Sequence, residues 1–209
     1  MRFRIEQDGR LCRIALAVPE KRNALDTQAC RDLLRELRDA AADEGTGAIL
    51  LEADGPVFCA GFEPDTEPDE ELFAIGTTLT KPLVAAVKGV AISAGLALAA
   101  NAHVVVAAQG TSFGLTDLRE GRFHEPIYRA IAAAVGERRA LELSLTGRIF
   151  STPEALAWGL AHHVAPAFEL DDRATQIAST LANANPEAVR AALATRGGFT
   201  RAALTSQMR

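Results

Sequence analysis

The sequence is poor in cysteine, the residue that marks disulfide-rich and many metal-binding proteins. Of its 209 residues only three are cysteines, Cys12, Cys30 and Cys59, and they lie far apart. An odd number of widely spaced cysteines predicts neither a disulfide framework nor a metal site. It is typical of a protein from a reducing compartment such as the cytoplasm.

Basic clusters and long apolar runs are also missing. The formal net charge is −5 and no segment is strongly basic, which argues against nucleic acid and anionic membranes as partners. The N-terminal residues MRFRIE contain no apolar signal core. Asn101 and His103 interrupt the longest apolar run before it reaches the length of a membrane span. We therefore expect a cytoplasmic protein without a membrane partner.

What the chain does contain is an alternation of strand and helix patterns. The composition, 48% hydrophobic and 23% charged, is ordinary for a globular domain with a substantial core. A hairpin is expected around Asp8-Gly9, and a helix capped by Asp26 or Thr27 follows. Later strands and helices alternate, which predicts an α/β fold with parallel strands joined by right-handed crossovers. The predicted strands are 3–7, 11–18, 48–51, 82–87 and 103–108, and the predicted helices are 27–41, 72–79, 94–100, 126–135, 137–146, 153–158, 170–184 and 187–195.

Residues 88–102 form the most informative stretch, KGVAISAGLALAANA. A strand precedes it, Gly89 allows a turn, and small residues lead into helix-forming sequence. Such a turn lets a ligand approach the backbone, and the first N–H groups of the helix can bind a negative oxygen. The alternative is plain packing, in which small residues let a buried helix lie close to a sheet.

Five segments, taken together and in order, resemble the crotonase family, also called the enoyl-CoA hydratase/isomerase family. Residues 22–25, RNAL, resemble the loop that touches coenzyme A. Residues 58–63, FCAGFE, resemble the first oxyanion loop, and residues 89–97 resemble the second with its helix. Residues 113–117, FGLTD, resemble the segment that carries a catalytic acid. Residues 146–160, TGRIFSTPEALAWGL, are the most specific match.

The resemblance implies a crotonase-like spiral of ββα units with a small second sheet layer and a helical C-terminal tail. It divides the chain into a spiral core, residues 1–165, and a helical segment, residues 166–209, that is short for the family. The segment between Glu63 and Lys81 is also short for the family. Family members usually assemble as trimers, so a homotrimer or hexamer is implied.

The resemblance also implies the chemistry of a coenzyme A thioester. The thioester carbonyl would lie between the backbone N–H groups of Phe62 and Ala94. Coenzyme A would contact Arg22, Ala24 and Ala60. Coenzyme A would enter as part of the substrate, and neither a metal nor a further cofactor is implied.

Three positions decide which reaction is expected. The first glutamate of the family's hydratases corresponds to Ala97, which carries no proton-transfer group. The second corresponds to Asp117, and Glu125 stands where other branches of the family place an acidic residue. The resemblance therefore implies Asp117 and Glu125 as catalytic residues. Isomerase- or hydrolase-like chemistry is favoured over simple hydration.

Both carboxylates also have a structural interpretation. Asp117 and Glu120 fit a helix capping box, with Asp117 as the cap. Glu125 precedes Pro126 and can be an exposed acid at the start of a helix. Its apolar neighbours Phe123, Ile127 and Tyr128 could instead exclude water from it.

Two other functions remain open from the sequence. Clp-type serine peptidases share the spiral fold, and a triad of Ser93, His124 and Asp117 can be drawn for such an enzyme. The second possibility is a non-catalytic protein that binds acyl-CoA.

Overall fold

A six-stranded sheet forms the centre of the fold in the computed structural model, which describes residues 2–195. A Gly9 turn with positive φ joins the first two strands into an antiparallel hairpin, in which Phe3 pairs with Leu16 and Asp8 with Leu11. All other neighbours in this sheet are parallel. In chain order the strands of the whole fold are β1 Phe3–Asp8, β2 Leu11–Leu16, β3 Ala48–Ala53, β4 Leu83–Val87, β5 Val90–Ile92, β6 Val104–Ala108, β7 Ser112–Gly114, β8 Ile149–Ser151 and β9 His163–Ala165. The large sheet has the order β1-β2-β3-β4-β6-β9.

A second sheet of three short strands, in the order β5-β7-β8, lies beside the large one. The chain passes from β4 into β5 through Gly89, which has φ +63° and no room for a Cβ, since that atom would lie 2.0 Å from the Pro56 carbonyl oxygen. It passes from β6 into β7 through a second positive-φ glycine, Gly110. The segments β4–β5 and β6–β7 therefore each contribute one strand to the large sheet and one to the small sheet.

Six α-helices cover these sheets in the described part of the chain. They are α1 Thr27–Ala42, α2 Ala94–Asn101, α3 Glu125–Val135, α4 Glu137–Thr146, α5 Thr152–Ala157 and α6 Leu170–Ala182, and residues 186–195 are also helical. Short 3₁₀ turns cover Pro19–Lys21, Leu72–Thr77, Asp117–Glu120 and Ala167–Glu169. Asp26 caps α1, because its carboxylate accepts a hydrogen bond of 2.7 Å from the Ala29 N–H. Of the two caps that the sequence allowed, Asp26 and Thr27, the structure uses Asp26.

The central strands β3 and β4 are buried on both faces of the large sheet. Along β3, Ile49 and Leu51 point into the main core, whereas Leu50 points to the opposite face. There it packs with the alanine face of α6, which includes Ala174 and Ala178. Such burial on both sides accounts for the continuous apolar runs of the parallel strands.

This architecture confirms the predicted α/β crotonase-like spiral, with its second sheet layer and a helical C-terminal part. The element predicted at residues 72–79 is a 3₁₀ turn that ends at Thr77. Gly76 there lies against the backbone of Asn101, where a Cβ would be 2.0 Å from the carbonyl oxygen. The division of the chain at residue 165 stays a prediction, and residues 196–209 of its second part lie outside the described residues. None of the described helices is long and apolar enough to cross a membrane.

Candidate active site

Two loops meet at the N-terminal end of α2. Phe58 and Cys59 run beside β5, with the Cys59 N–H donating to the Val90 carbonyl oxygen over 3.1 Å. Gly95, in the first turn of α2, rests on this segment so closely that a Cβ would lie 2.4 Å from the Cys59 carbonyl oxygen. A Cβ built on Gly61 would lie 3.5 Å from Cβ of Ser93. The two loops predicted to hold an oxyanion are therefore in direct contact.

The backbone N–H of Phe62 is not used when its loop pairs with Leu25. Phe62 forms a parallel bridge with Leu25, in which the Leu25 N–H donates to the Gly61 oxygen and the Glu63 N–H donates to the Leu25 oxygen. The N–H of Phe62 lies between these bonds and makes no backbone hydrogen bond to a described residue. In a parallel ladder this group faces away from the partner strand.

The N–H of Ala94 also donates to no described backbone group, for a different reason. Ala94 is the first residue of α2, and the N–H groups of a first helical turn have no acceptor within the helix. Ser93 precedes it with φ 50° and ψ −109°, a conformation that favours glycine and costs about 1–3 kcal/mol in other residues. Two hydrogen bonds hold Ser93 there, from its N–H to the Gly114 oxygen and from its hydroxyl to Asp117.

The structure brings together the residues that were predicted to contact coenzyme A. The Ala60 N–H donates to the Arg22 carbonyl oxygen over 3.1 Å. Ala24 lines a cleft of about 320 Å³ on this side of the molecule, together with Lys21 and Glu63. Buried Asn23, with φ 55°, fixes the loop through hydrogen bonds to the backbone of residues 18, 54 and 57. Sequence reasoning had assigned no role to this asparagine.

Asp117 lies beside Ser93, the residue before α2, and it does not cap a helix. The capping-box interpretation was therefore wrong. It is the first residue of its 3₁₀ turn, and the cap position belongs to Thr116. Its Oδ1 accepts hydrogen bonds from the Ser93 hydroxyl at 2.6 Å and from Nδ1 of His124 at 2.9 Å. Its Oδ2 is buried without a hydrogen-bond partner. A buried carboxylate that is only half satisfied is a feature of functional sites rather than of stable cores.

His124 was considered from the sequence only as part of a peptidase triad, and not as a residue of a thioester site. Its ring lies edge-on to the Phe62 ring, with the centroids 5.1 Å apart, and its side chain is 15% exposed. Gly121, with φ +70°, turns the chain after the 3₁₀ segment, and the Arg122 N–H bonds back to the Asp117 carbonyl oxygen. The spacing of Asp117 and His124 around a glycine turn was the signal available in the sequence.

Glu125 occupies a more open position than Asp117. It is the first residue of α3, its side chain is 62% exposed, and its carboxylate lies 2.6 Å from Arg129. It lines a separate cleft together with Phe73 and Arg129. Phe123 is itself 55% exposed, so the apolar cover expected for Glu125 does not form. The structure therefore pairs Asp117 with His124 rather than with Glu125.

The arrangement does not fit a serine peptidase triad. In such a triad the histidine lies between the serine and the carboxylate and takes the proton of the hydroxyl. Here Asp117 lies in the middle, and the Ser93 hydroxyl bonds to the carboxylate instead of to His124. The nucleophile drawn from the sequence therefore lacks its base.

Ala97 lies on α2 one turn beyond the oxyanion loop, completely buried, with its N–H bonded to the Ser93 carbonyl oxygen. A methyl group thus stands at the position that the resemblance assigned to the first hydratase glutamate. Within residues 2–195 no cluster of three or more His, Cys, Asp or Glu side chains could hold a metal ion.

Comparison with known proteins agrees with the family resemblance of the five segments. A family model described as enoyl-CoA hydratase/isomerase matches residues 6–208. Rat enoyl-CoA hydratase domain-containing protein 3, a mitochondrial protein, is 31% identical over 204 residues, which are 91% of this chain and 68% of the rat protein.

Solved structures resemble the whole described fold. An enoyl-CoA hydratase from Mycobacterium avium superposes with a TM-score of 0.85 at 28% identity, covering 99% of this chain and 92% of its own. A carnitinyl-CoA hydratase from the same species has a TM-score of 0.82 at 27% identity, covering 91% of this chain and 78% of its own.

Proposed function

The chain belongs to the enoyl-CoA hydratase/isomerase family, and from that premise we propose that it stabilises a thioester enolate or oxyanion with the backbone N–H groups of Phe62 and Ala94. It is an enzyme of this family, and the proposal concerns its site and its reaction. The observation that carries the proposal is a pair of N–H groups, on two touching loops, that donate to no described backbone group. One such donor contributes about 2.7–4 kcal/mol to transition-state stability in other enzymes.

We propose that coenzyme A binds along residues 22–25, in contact with Arg22, Ala24 and Ala60. The hydrogen bond between Ala60 and Arg22 supports this, because it joins the nucleotide-binding loop to the oxyanion loop. The exposed Arg22 and the cleft beside Ala24 are compatible with a phosphate-bearing ligand. Coenzyme A is part of the substrate in this proposal, and no other cofactor takes part.

The proposed reaction is isomerisation or hydrolysis rather than hydration. Hydration in the family uses two glutamates, and Ala97 removes the first. Asp117 and Glu125 are the carboxylates proposed to take part. The buried, half-satisfied carboxylate of Asp117 supports a role beside the reacting carbon. Glu125 has the more exposed position and would act from the cleft that it lines with Phe73 and Arg129.

Two further parts of the proposal concern the environment of the enzyme. We propose a homotrimer or hexamer, as is usual for the family. We also propose a cytoplasmic location, supported by three cysteines that are all free and buried.

The experiment is a thermal-shift screen of acyl-CoA thioesters, followed by mass spectrometry of the products. A ligand at 100 times its dissociation constant adds about 2.7 kcal/mol of stability. We expect at least one thioester to raise the melting temperature more than its free acid does. Mass spectrometry should show that this thioester is converted on incubation with the protein. A protein that binds thioesters and never turns them over would be a binding protein. If no thioester raises the melting temperature, while a known family member responds under the same conditions, the whole proposal is contradicted.

A further inference from the structure

His124 lies at the junction of the two loops. Its ring touches the side chain of Phe62, from the first loop. Through Asp117 it is also connected to Ser93, the residue before Ala94 in the second loop. A proton carried by this histidine would therefore travel beside the position proposed for the thioester carbonyl.

Asp117 holds the imidazole in one orientation. Its side chain is 7% exposed, and its Oδ1 is fixed by two hydrogen bonds, one from Ser93. A carboxylate only accepts hydrogen bonds, so the neighbouring Nδ1 must carry its hydrogen. In the neutral ring this leaves the lone pair on Nε2.

Nε2 of His124 is open for reaction. No described residue forms a hydrogen bond with it, and it is not among the buried polar atoms that lack a partner. It thus combines an oriented lone pair with access from outside the protein. A carboxylate that orients a histidine in this way also stabilises the imidazolium formed when Nε2 takes a proton.

We propose that His124, oriented by Asp117, is the base that removes a proton from the α-carbon of a bound acyl-CoA, a role that rests on the proposed function. The C–H bond breaks and its proton goes to Nε2. The electron pair of that bond moves into an enolate, whose oxygen accepts hydrogen bonds from the N–H groups of Phe62 and Ala94. Return of a proton from Nε2 to carbon restores the imidazole and completes an exchange or an isomerisation.

The surrounding residues explain why a histidine takes this role. The methyl group of Ala97 leaves no acid or base on α2 at this position. The Glu125 carboxylate is engaged by Arg129 in solvent. Asp117 is shared between two donors, and its free oxygen is buried. Of these groups His124 alone presents an unbonded basic atom that solvent or a ligand reaches.

The test is exchange of α-hydrogen for deuterium in butyryl-CoA dissolved in D₂O, followed by mass spectrometry. The informative variant is His124→Asn, because the asparagine amide replaces the Nδ1 donor to Asp117 but has no counterpart of Nε2. His163→Asn is the matched control, since His163 lies in the edge strand β9. Binding of butyryl-CoA is measured in parallel by thermal shift.

We expect wild type and His163→Asn to exchange at equal rates. We expect His124→Asn to bind butyryl-CoA with unchanged affinity and to exchange about 10²–10⁴-fold more slowly, the usual contribution of a general base. Exchange at the wild-type rate in His124→Asn would overturn the role of His124 and leave the proposed function standing. If wild type binds butyryl-CoA without exchanging its hydrogen, the assignment of proton transfer to this site is wrong. If wild type does not bind any thioester, the proposed function itself fails.

Discussion

Gly95→Ala tests whether the contact between the two loops positions the active site. A Cβ at this residue would lie 2.4 Å from the Cys59 carbonyl oxygen and 2.8 Å from Cβ of Cys59. Ordinary contact begins at 3.4 Å, so α2 and the Cys59 segment must separate by about 1 Å. Because the obstacle is backbone, no side-chain rotation can relieve it. The N–H groups of Phe62 and Ala94 lie on the two parts that would be pushed apart.

The expected effects on stability and on turnover are different in size. Overpacking a tight core costs about 1–3 kcal/mol, and alanine returns about 1 kcal/mol through its better helix propensity. The free energy of unfolding should therefore fall by at most about 2 kcal/mol. A misplacement of about 1 Å at a reacting centre can lower turnover by about 10²-fold. We expect a folded variant with most of its activity lost.

The assay compares urea unfolding and hydrogen exchange in butyryl-CoA for wild type, Gly95→Ala and Gly45→Ala. Gly45 is the control, since a Cβ there meets only the flexible carboxylate of Asp43, at 3.2 Å. Its variant should keep both stability and activity. Unchanged exchange in a folded Gly95→Ala protein would refute the reasoning, because the loops would then tolerate the separation.

Three further predictions concern other parts of the molecule. Hydration of crotonyl-CoA should be slow or absent, since the side chain of Ala97 lacks an acid–base group worth about 10²–10⁴-fold; hydration at the rate of a family hydratase would contradict this. Asp26→Ala should lower stability by about 1 kcal/mol through loss of the α1 cap. Burial works against ionisation of Asp26, but hydrogen bonds from Arg2 and the Ala29 N–H outweigh it and lower its pKa below the usual value of an aspartate. The difference between Asp26→Ala and wild type should thus be complete at neutral pH and disappear as the pH falls through that lowered pKa, and urea curves at several pH values measure it. Burial raises the pKa of Cys30 and Cys59 to about 12 and that of Cys12 in the same direction, so a thiol reagent at pH 8 should react with none of the three until the protein is unfolded. Rapid labelling of the native protein would show that the core opens.

The sequence by itself determined the parts of this protein that depend on neighbouring residues. The helix expected after Asp26 forms as α1, and Cys30, Leu33 and Leu37 are buried on one face of it because they recur at helical spacing. A cap at Asp26 or Thr27 was expected because a capping side chain bonds to a backbone group only a few residues away, and the structure uses Asp26. Five motifs in one order identified the family, since each motif can be read from a short segment of neighbouring residues.

Only the tertiary structure decided what the carboxylates do. The sequence left Asp117 between a catalytic role and a helix cap, and its partners in the structure are Ser93 and His124. Ser93 lies 24 residues before it in the chain and reaches it only because β5 and β7 pair in the small sheet. The same pairing holds Ser93 in its positive-φ conformation. Contacts of this kind arise because strands that are distant in the sequence pair with each other. Rules of periodicity or capping, which use only a short window of residues, cannot predict them.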